Sequence, residues 1–287
     1  MDKNAEMLIC VDGSQYGQVV TQYAVWISQK VGIKVVALYV SELNNYELPT
    51  FGDFGGVLGA QNYSNVAEQL KEIENKKAKV IGDFVKKSFD EAGIADRLTV
   101  IHRIGDLVDV IEELCEERKQ ITSLIVGKRG ENCNFAKGFL GSNLERIIRT
   151  TQLPCFVVNR EFIKQERLLF SYDGGVSAEK ALAFLEKNKA YFTQEIHLVS
   201  VAKPGKEEEV SKKLSEIERR LAGGNFRLKL QMLSGVPAEA IQTYAKTNGI
   251  TCILMGAYGH SRIRQFIIGS TTTEVVRRCL VPFWLFH

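Results

Sequence analysis

The sequence predicts an α/β fold of two tandem doubly wound, Rossmann-like domains, each a five-stranded parallel sheet with helices on both faces. Three observations lead there. Short β-branched apolar runs alternate with longer amphipathic stretches, the pattern of βαβ units. The same series of landmarks occurs twice in the same order. The 287 residues, 45% of them hydrophobic, suffice for two ordinary cores.

The elements follow in order. "MLICVDGS" places a first strand at Met7 to Val11, ending on Asp12-Gly13, and "KVVALYV" a second at Lys34 to Val40. A helix with a long charged face is expected over Asn65 to Ala92, then strands at Leu98 to Arg103, Ser123 to Gly127 and Cys155 to Asn159, with helices in the intervals. The polar "REFIKQE", Arg160 to Glu166, reads as a linker, so the expected domains are 1–160 and 161–287.

In the second copy, "LLFSYDGG" aligns Asp173 with Asp12, "EIHLVSV" aligns Val201 with Val40, and "LQMLSGVPAEAIQTY" aligns Gly235 with Gly105. "CILMGAYG" aligns Gly256 with Gly127, and "FIIGSTTTEVVRRCLVPFWLF" aligns Gly269 with Gly141 and Pro282 with Pro154. The offset is 161 at the aspartates and 130 at Gly105, so the second copy lacks 31 residues after its second strand. That stretch contains "PTFGDFGGVLG", whose Phe51 to Gly59 portion is expected to act as a flap or packing loop that opens no helix.

Charge and composition exclude several classes. Thirty-seven basic against 34 acidic residues leave a net charge of +3, far from the concentrated basic face that duplex nucleic acid requires. No run approaches the length of a membrane span, and "MDKNAEMLICVDGS" has no apolar core of signal-peptide length, so a cytoplasmic location is expected. The six cysteines show no CxxC spacing and several lie in apolar runs, which reads as core thiols in a reducing compartment. His102 and His197 fall within strand patterns and are expected as strand residues, with no metal site and no catalytic residue assigned.

The chemistry concentrates in "GAYGHSRIRQFIIGS", Gly256 to Ser270. In an open parallel sheet, ligands sit beyond the carboxyl ends of the strands, where strand order reverses, and the loops after strands one and four flank that crevice. Glycine bends there are expected to take positive φ and bring N–H groups close to an anion. "GSTTTEVVRR" then opens a helix whose first amides and dipole favour phosphate, with Ser270 and Thr271 as hydroxyl donors. The chain has neither GxxxxGK[ST] nor the GxGxxG fingerprint at this place.

With this motif the chain resembles the universal stress protein family in a tandem arrangement. The family's nucleotide motif G-x2-G-x9-G-[ST] is matched without a gap by Gly256, Gly259, Gly269 and Ser270. The resemblance implies ATP, alone or with Mg2+, as ligand. Asp173 and Val201 would hold its adenine end, and Gly256, Gly259, Gly269, Ser270 and Thr271 its phosphate end. It also implies a stress-response role and pairing of the fifth strands into an internal pseudo-dimer, and it leaves open whether two such chains associate as a homodimer.

The first copy implies a second site at Asp12, Val40, Gly127, Gly130, Gly141 and Ser142, but ten residues rather than nine separate Gly130 from Gly141. Lys128, Arg129 and Lys137 could still attract phosphate there, whereas His260, beside Arg262 and Arg264 in the second copy, reads more commonly as a solvated loop histidine than as a phosphate contact. A purely structural reading stands beside this one. Ser142 with Glu145 and Thr271 with Glu274 have capping-box spacing, and Asp12 and Asp173 could shape turns capped by Ser14 and Ser177.

No carboxylate set for phosphoryl transfer and no GxSxG elbow is recognisable. Three functions remain open at this level: an ATP-binding regulatory protein, a nucleotide-free scaffold or carrier of small apolar ligands, and a weak ATPase or autokinase acting at the loop hydroxyls.

Overall fold

Strand Glu6–Cys10 (β1) and strand Lys34–Ser41 (β2) are buried along nearly their whole length on both faces, as inner strands of a helix-covered parallel sheet must be. In the computed structural model, which describes residues 4–42, 57–129, 141–258 and 268–287, they are joined by helix Gln15–Val31 (α1). Ser14 caps that helix by accepting the N–H groups of Tyr16 and Gly17, and Gly32 ends it at φ 78°, donating to the Ser28 carbonyl. Between the caps, Val19, Val20, Tyr23 and Ala24 form the stripe that meets the sheet.

The first half continues with helix Val57–Glu91 (α2), strand Leu98–Ile104 (β3), helix Leu107–Glu117 (α3), strand Ile121–Gly127 (β4), helix Ser142–Thr150 (α4) and strand Cys155–Val158 (β5). The second half repeats the order with strand Arg167–Ser171 (β6), helix Val176–Asn188 (α5), strand Glu195–Ala202 (β7), helix Glu207–Leu221 (α6) and strand Arg227–Ser234 (β8). It closes with helix Pro237–Thr247 (α7), strand Cys252–Gly256 (β9), helix Ser270–Arg278 (α8) and strand Phe283–Phe286 (β10). All five strands expected in each half are present. The main correction is α2, which starts at Val57 rather than Asn65. Residues 51–56 of the insert lie outside the described residues, but Val57 to Gly59 already belong to the helix backbone, so the insert does open a helix.

All ten strands form one sheet in the order β3-β2-β1-β4-β5-β10-β9-β6-β7-β8. Pairing is parallel within each half, and β5 meets β10 antiparallel, with Phe156 opposite Trp284. The fifth strands therefore join the halves, as the resemblance implies. Helices α1, α2, α5 and α6 pack on one face and α3, α4, α7 and α8 on the other, each face having its own apolar core that runs through both halves.

The linker crosses the first of these faces. Tyr23 of α1 donates its hydroxyl to the Ile163 carbonyl and accepts the Ile163 N–H, both at 2.9 Å. The same ring packs edge-on to Phe156 at 5.1 Å and against Phe162 at 4.6 Å.

Most of the extra length of the first half goes into α2, which brings Glu74 under β2. Its carboxylate accepts the hydroxyls of Tyr39 at 2.7 Å and Ser41 at 2.9 Å, and Ser41 also meets the His102 ring at 2.8 Å. Burial would raise the Glu74 pKa, but the two hydroxyls and the nearby Lys77 and His102 hold it below the usual carboxylate range. His102 and His197 are both strand residues, as expected. His197 is buried between the Tyr244 hydroxyl at 2.8 Å and Glu195 at 2.9 Å, and burial keeps it below the ordinary histidine range.

Cys155, Cys252 and Cys279 are buried, Cys10 and Cys115 partly so, and all five thiols are free. Burial raises the pKa of each, which makes them poor nucleophiles. Cys133 lies outside the described residues. Among the described residues, no helix is long and apolar enough to cross a membrane.

Candidate functional site

Strand order reverses in the second half between β6 and β9, because the chain runs from β6 outward to β8 and then returns to the other side of β6. A crevice at the carboxyl ends of this pair is where an open α/β sheet receives ligands. Asp173 follows β6 and Gly256 ends β9, and the register pairs Ser171 with Met255 directly beneath them. Val201, partly buried, lies near the end of β7 on the other side of β6. Asp12, Val40 and Gly127 hold the equivalent places around β1, β2 and β4.

The turn after each first strand uses its aspartate. Asp173 accepts the Gly175 N–H on Oδ1 at 2.8 Å, and Gly174 between them takes φ 80°, which suits glycine alone. In the first half, Asp12 Oδ1 accepts the Ser14 N–H at 3.0 Å and its hydroxyl. Ser14 is the cap expected of it, whereas Ser177 is not: the N-cap of α5 is Gly175, and Ser177 is already buried within the helix. Both aspartates thus shape their turns while standing at the crevice.

The glycines correct the expectation more sharply. Neither Gly127 nor Gly256 is among the glycines with positive φ. Their bareness is required by packing instead. A Cβ at Gly127 would stand 2.7 Å from Tyr16 Cβ and 2.9 Å from the Arg129 carbonyl oxygen; at Gly256 it would stand 2.9 Å from Ser177 Cβ and 3.2 Å from the Ala178 nitrogen. Each glycine lets the end of strand four lie against the start of its own half's first helix. Gly127→Ala is expected to cost about 1–3 kcal/mol through this overpacking, read as a lower urea midpoint; an unchanged midpoint would show that Tyr16 can yield.

At the far end of the motif, Gly269 caps α8 at φ −57° and ψ 140°, and Gly141 caps α4 at φ −62° and ψ 138°, conformations open to every residue. Neither helix has a side-chain cap, so the capping boxes expected from Ser142–Glu145 and Thr271–Glu274 are absent. Ser142 and Ser270 come one residue too late to cap and stand exposed in the first turn, with Thr271 partly buried beside Ser270. Thr272, which sequence reasoning passed over, donates its hydroxyl to the Gly256 carbonyl at 2.8 Å and so ties the helix start to the end of β9.

Two further residues were not legible in the motif. Lys213 of α6 lies against the Asp173 turn, since a Cβ on Gly174 would be 3.6 Å from its ammonium. In the chain it is only one member of a charge run, paired with Glu209 four residues earlier at 2.9 Å. Tyr258, between Gly256 and the next motif glycine, donates to the Ile148 carbonyl at 2.8 Å and so holds the last turn of α4 in the opposite half.

Lys128 makes the reciprocal contact, and this removes it from the phosphate role expected of it. It is only 7% exposed, and its ammonium donates to the carbonyls of Cys279 at 3.2 Å and Arg277 at 3.4 Å, at the carboxyl end of α8. Gly130, Lys137, Gly259, His260, Arg262 and Arg264 lie outside the described residues. Among the described residues, no group of three or more His, Cys, Asp or Glu side chains is placed to hold a metal ion.

Comparison with known proteins agrees with this architecture. The model of the universal stress protein family matches residues 4–159 and again 165–287. Universal stress protein Slr1230 of Synechocystis is 35% identical, over 98% of this chain and 99% of its own length. A crystal structure of a universal stress protein from Archaeoglobus fulgidus superimposes at a TM-score of 0.74 with 24% identity, covering 100% of this chain and 99% of that one. A universal stress protein solved in complex with cAMP matches 44% of this chain at 21% identity and a TM-score of 0.38. Two successive family matches, a full-length relative and the doubled βαβ sheet lead to one conclusion: the chain belongs to the universal stress protein family, with two of its domains in tandem.

Proposed function

We propose that the chain is a regulatory protein that binds an adenine nucleotide, ATP in the first instance, at the β6–β9 switch point of its second half. The observation that carries the reading is the start of α8. A glycine stands where a serine, threonine, asparagine or aspartate would normally cap the helix, and the serine comes one residue later, so among the described residues no N-cap side chain takes up the first-turn amides. Gly175 begins α5 in the same way on the other side of the crevice. Two positive helix ends beside one switch point favour an anionic ligand.

In this reading Asp173 and Val201 receive the adenosine end, while Gly256, Gly259, Gly269, Ser270 and Thr271 surround the phosphates. Gly256 contributes by letting β9 lie close to α5, and Lys213 adds a positive charge near the Asp173 turn. The first half offers a weaker version through Asp12, Val40, Gly127, Gly130, Gly141 and Ser142, because Lys128 is engaged with α8. Nucleotide would act by favouring one conformation of the second half and so changing the surface shown to a protein partner.

The test is to denature freshly purified protein, identify any small molecule released, and titrate ATP calorimetrically with and without Mg2+. ATP is expected to bind wild type, and Gly269→Val to weaken it at least tenfold while costing only about 1 kcal/mol in urea unfolding through the poorer N-cap, since the N-cap conformation itself accepts any residue. No binding to wild type, or binding that survives the substitution, would sink the proposal. Gly141→Val tests the first half separately.

A further inference from the structure

At the opposite end of the strands from this crevice, a cavity of about 220 Å³ opens in the seam between the halves. It lies between the carboxyl ends of α1 and α5 and the first residues of β1 and β4. Trp26 comes from the first half, and Phe184, Tyr191, Phe192 and Trp284 come from the second. Both tryptophans of the chain are therefore in its wall. Neither half makes this space alone.

Among the described residues the charged groups of the lining are of one sign, beside the neutral polar Thr122, Ser123, Asn188, Tyr191 and Gln194. Lys30 and Lys187, both exposed, stand on the last turns of α1 and α5, and no carboxylate belongs to the lining. Neither lysine has a salt-bridge partner among the described residues. Lys30 instead lies over the Trp26 ring, 5.3 Å from its centroid. The two helix ends carry about half a negative charge each, so two ammonium groups leave the cavity mouth positive. Asn188, buried in the wall, gives its amide N–H to the Phe184 carbonyl at 2.9 Å and leaves its oxygen without a hydrogen-bond partner.

From this we infer that the seam cavity is a second binding site, for a small aromatic carboxylate: an aromatic body held among the rings and an anionic head between Lys30 and Lys187. The size agrees with that class. The space exceeds the ~150 Å³ that accepts benzene and falls short of the roughly 300 Å³ at which pockets for drug-sized ligands begin. Because its walls come from both halves, an occupant would also fasten one half to the other. The inference does not depend on nucleotide binding, since the two sites lie at opposite ends of the sheet.

The tryptophans supply the readout. Intrinsic fluorescence of the full chain is titrated with 3-phenylpropionate and, as its uncharged counterpart, 3-phenylpropanol, in wild type and in the Lys30→Gln/Lys187→Gln double variant, whose changes are on the surface. A saturable change is expected with the carboxylate, with half-saturation at least fivefold higher in the double variant. The alcohol should bind more weakly than the carboxylate to wild type and be unaffected by the substitutions, and excess ATP should not displace the carboxylate. The proposal is overturned if the signal does not saturate, if the double variant binds the carboxylate as wild type does, if the alcohol binds as well as the carboxylate, or if ATP displaces it.

Discussion

Phe156→Ala is expected to destabilise the whole chain by about 3–5 kcal/mol, the range for removing a buried aromatic ring from a core. Phe156 is completely buried, stacks on Trp284 at 4.7 Å and meets Tyr23 edge-on at 5.1 Å. Trp284 is its partner across the antiparallel pairing that joins the halves, and Tyr23 holds the linker through Ile163. One truncation thus loosens β5, β10 and the linker together. Urea unfolding followed by tryptophan fluorescence and by far-ultraviolet circular dichroism should show both signals moving to lower denaturant. If only part of the circular dichroism moves, the halves unfold independently and the seam matters less than its packing implies.

Lys128→Glu should be of similar size, about 3–5 kcal/mol, because it places a carboxylate in a buried site against carbonyl oxygens at the negative end of α8. Lys128→Met is the milder companion, and it exposes a pH effect. Burial pushes the Lys128 ammonium down from its ordinary 10.5 to about 8, with Arg129 acting in the same direction. Between those values the unfolded chain binds more protons at this position than the folded one, so this lysine makes stability rise with pH from about 8 to 10.5. Below pH 8 its cost is constant. The difference between wild type and Lys128→Met, measured by urea unfolding across this range, should therefore grow in favour of wild type as pH rises. A difference that stays flat would show that the ammonium is not depressed.

The parts that were legible in the chain are those encoded by local pattern. Buried strands need unbroken apolar runs, so "LICV", "KVVALYV" and "CILM" declare themselves, and the repeat of Asp12 and Gly127 as Asp173 and Gly256 locates the switch points once the fold class is known. The start of α2 was missed because "PTFGDFGGVLG" carries the glycines and proline of a loop up to the point where the helix begins. Ser142 and Thr271 read as caps because capping boxes are recognised by spacing, and spacing does not say which residue is the last one outside the helix.

The motif glycines show where such reading stops. Gly127 and Gly256 look alike in the motif to Gly141 and Gly269, yet the first pair is bare because Tyr16 and Ser177 press against it, and the second pair caps helices in an ordinary conformation. Steric exclusion is a property of neighbours, and those neighbours are more than seventy residues away in the chain. Lys128 is the plainest case: beside two glycines it resembles a phosphate ligand, and only the antiparallel junction of β5 with β10 brings the end of α8 within reach of its ammonium. Fold class, the two-domain order and the places of the crevices are local and periodic properties, and the linear chain records them. The seam, its cavity and the reciprocal holds of Lys128 and Tyr258 arise where the two copies meet, and no periodicity in either copy encodes a contact with the other.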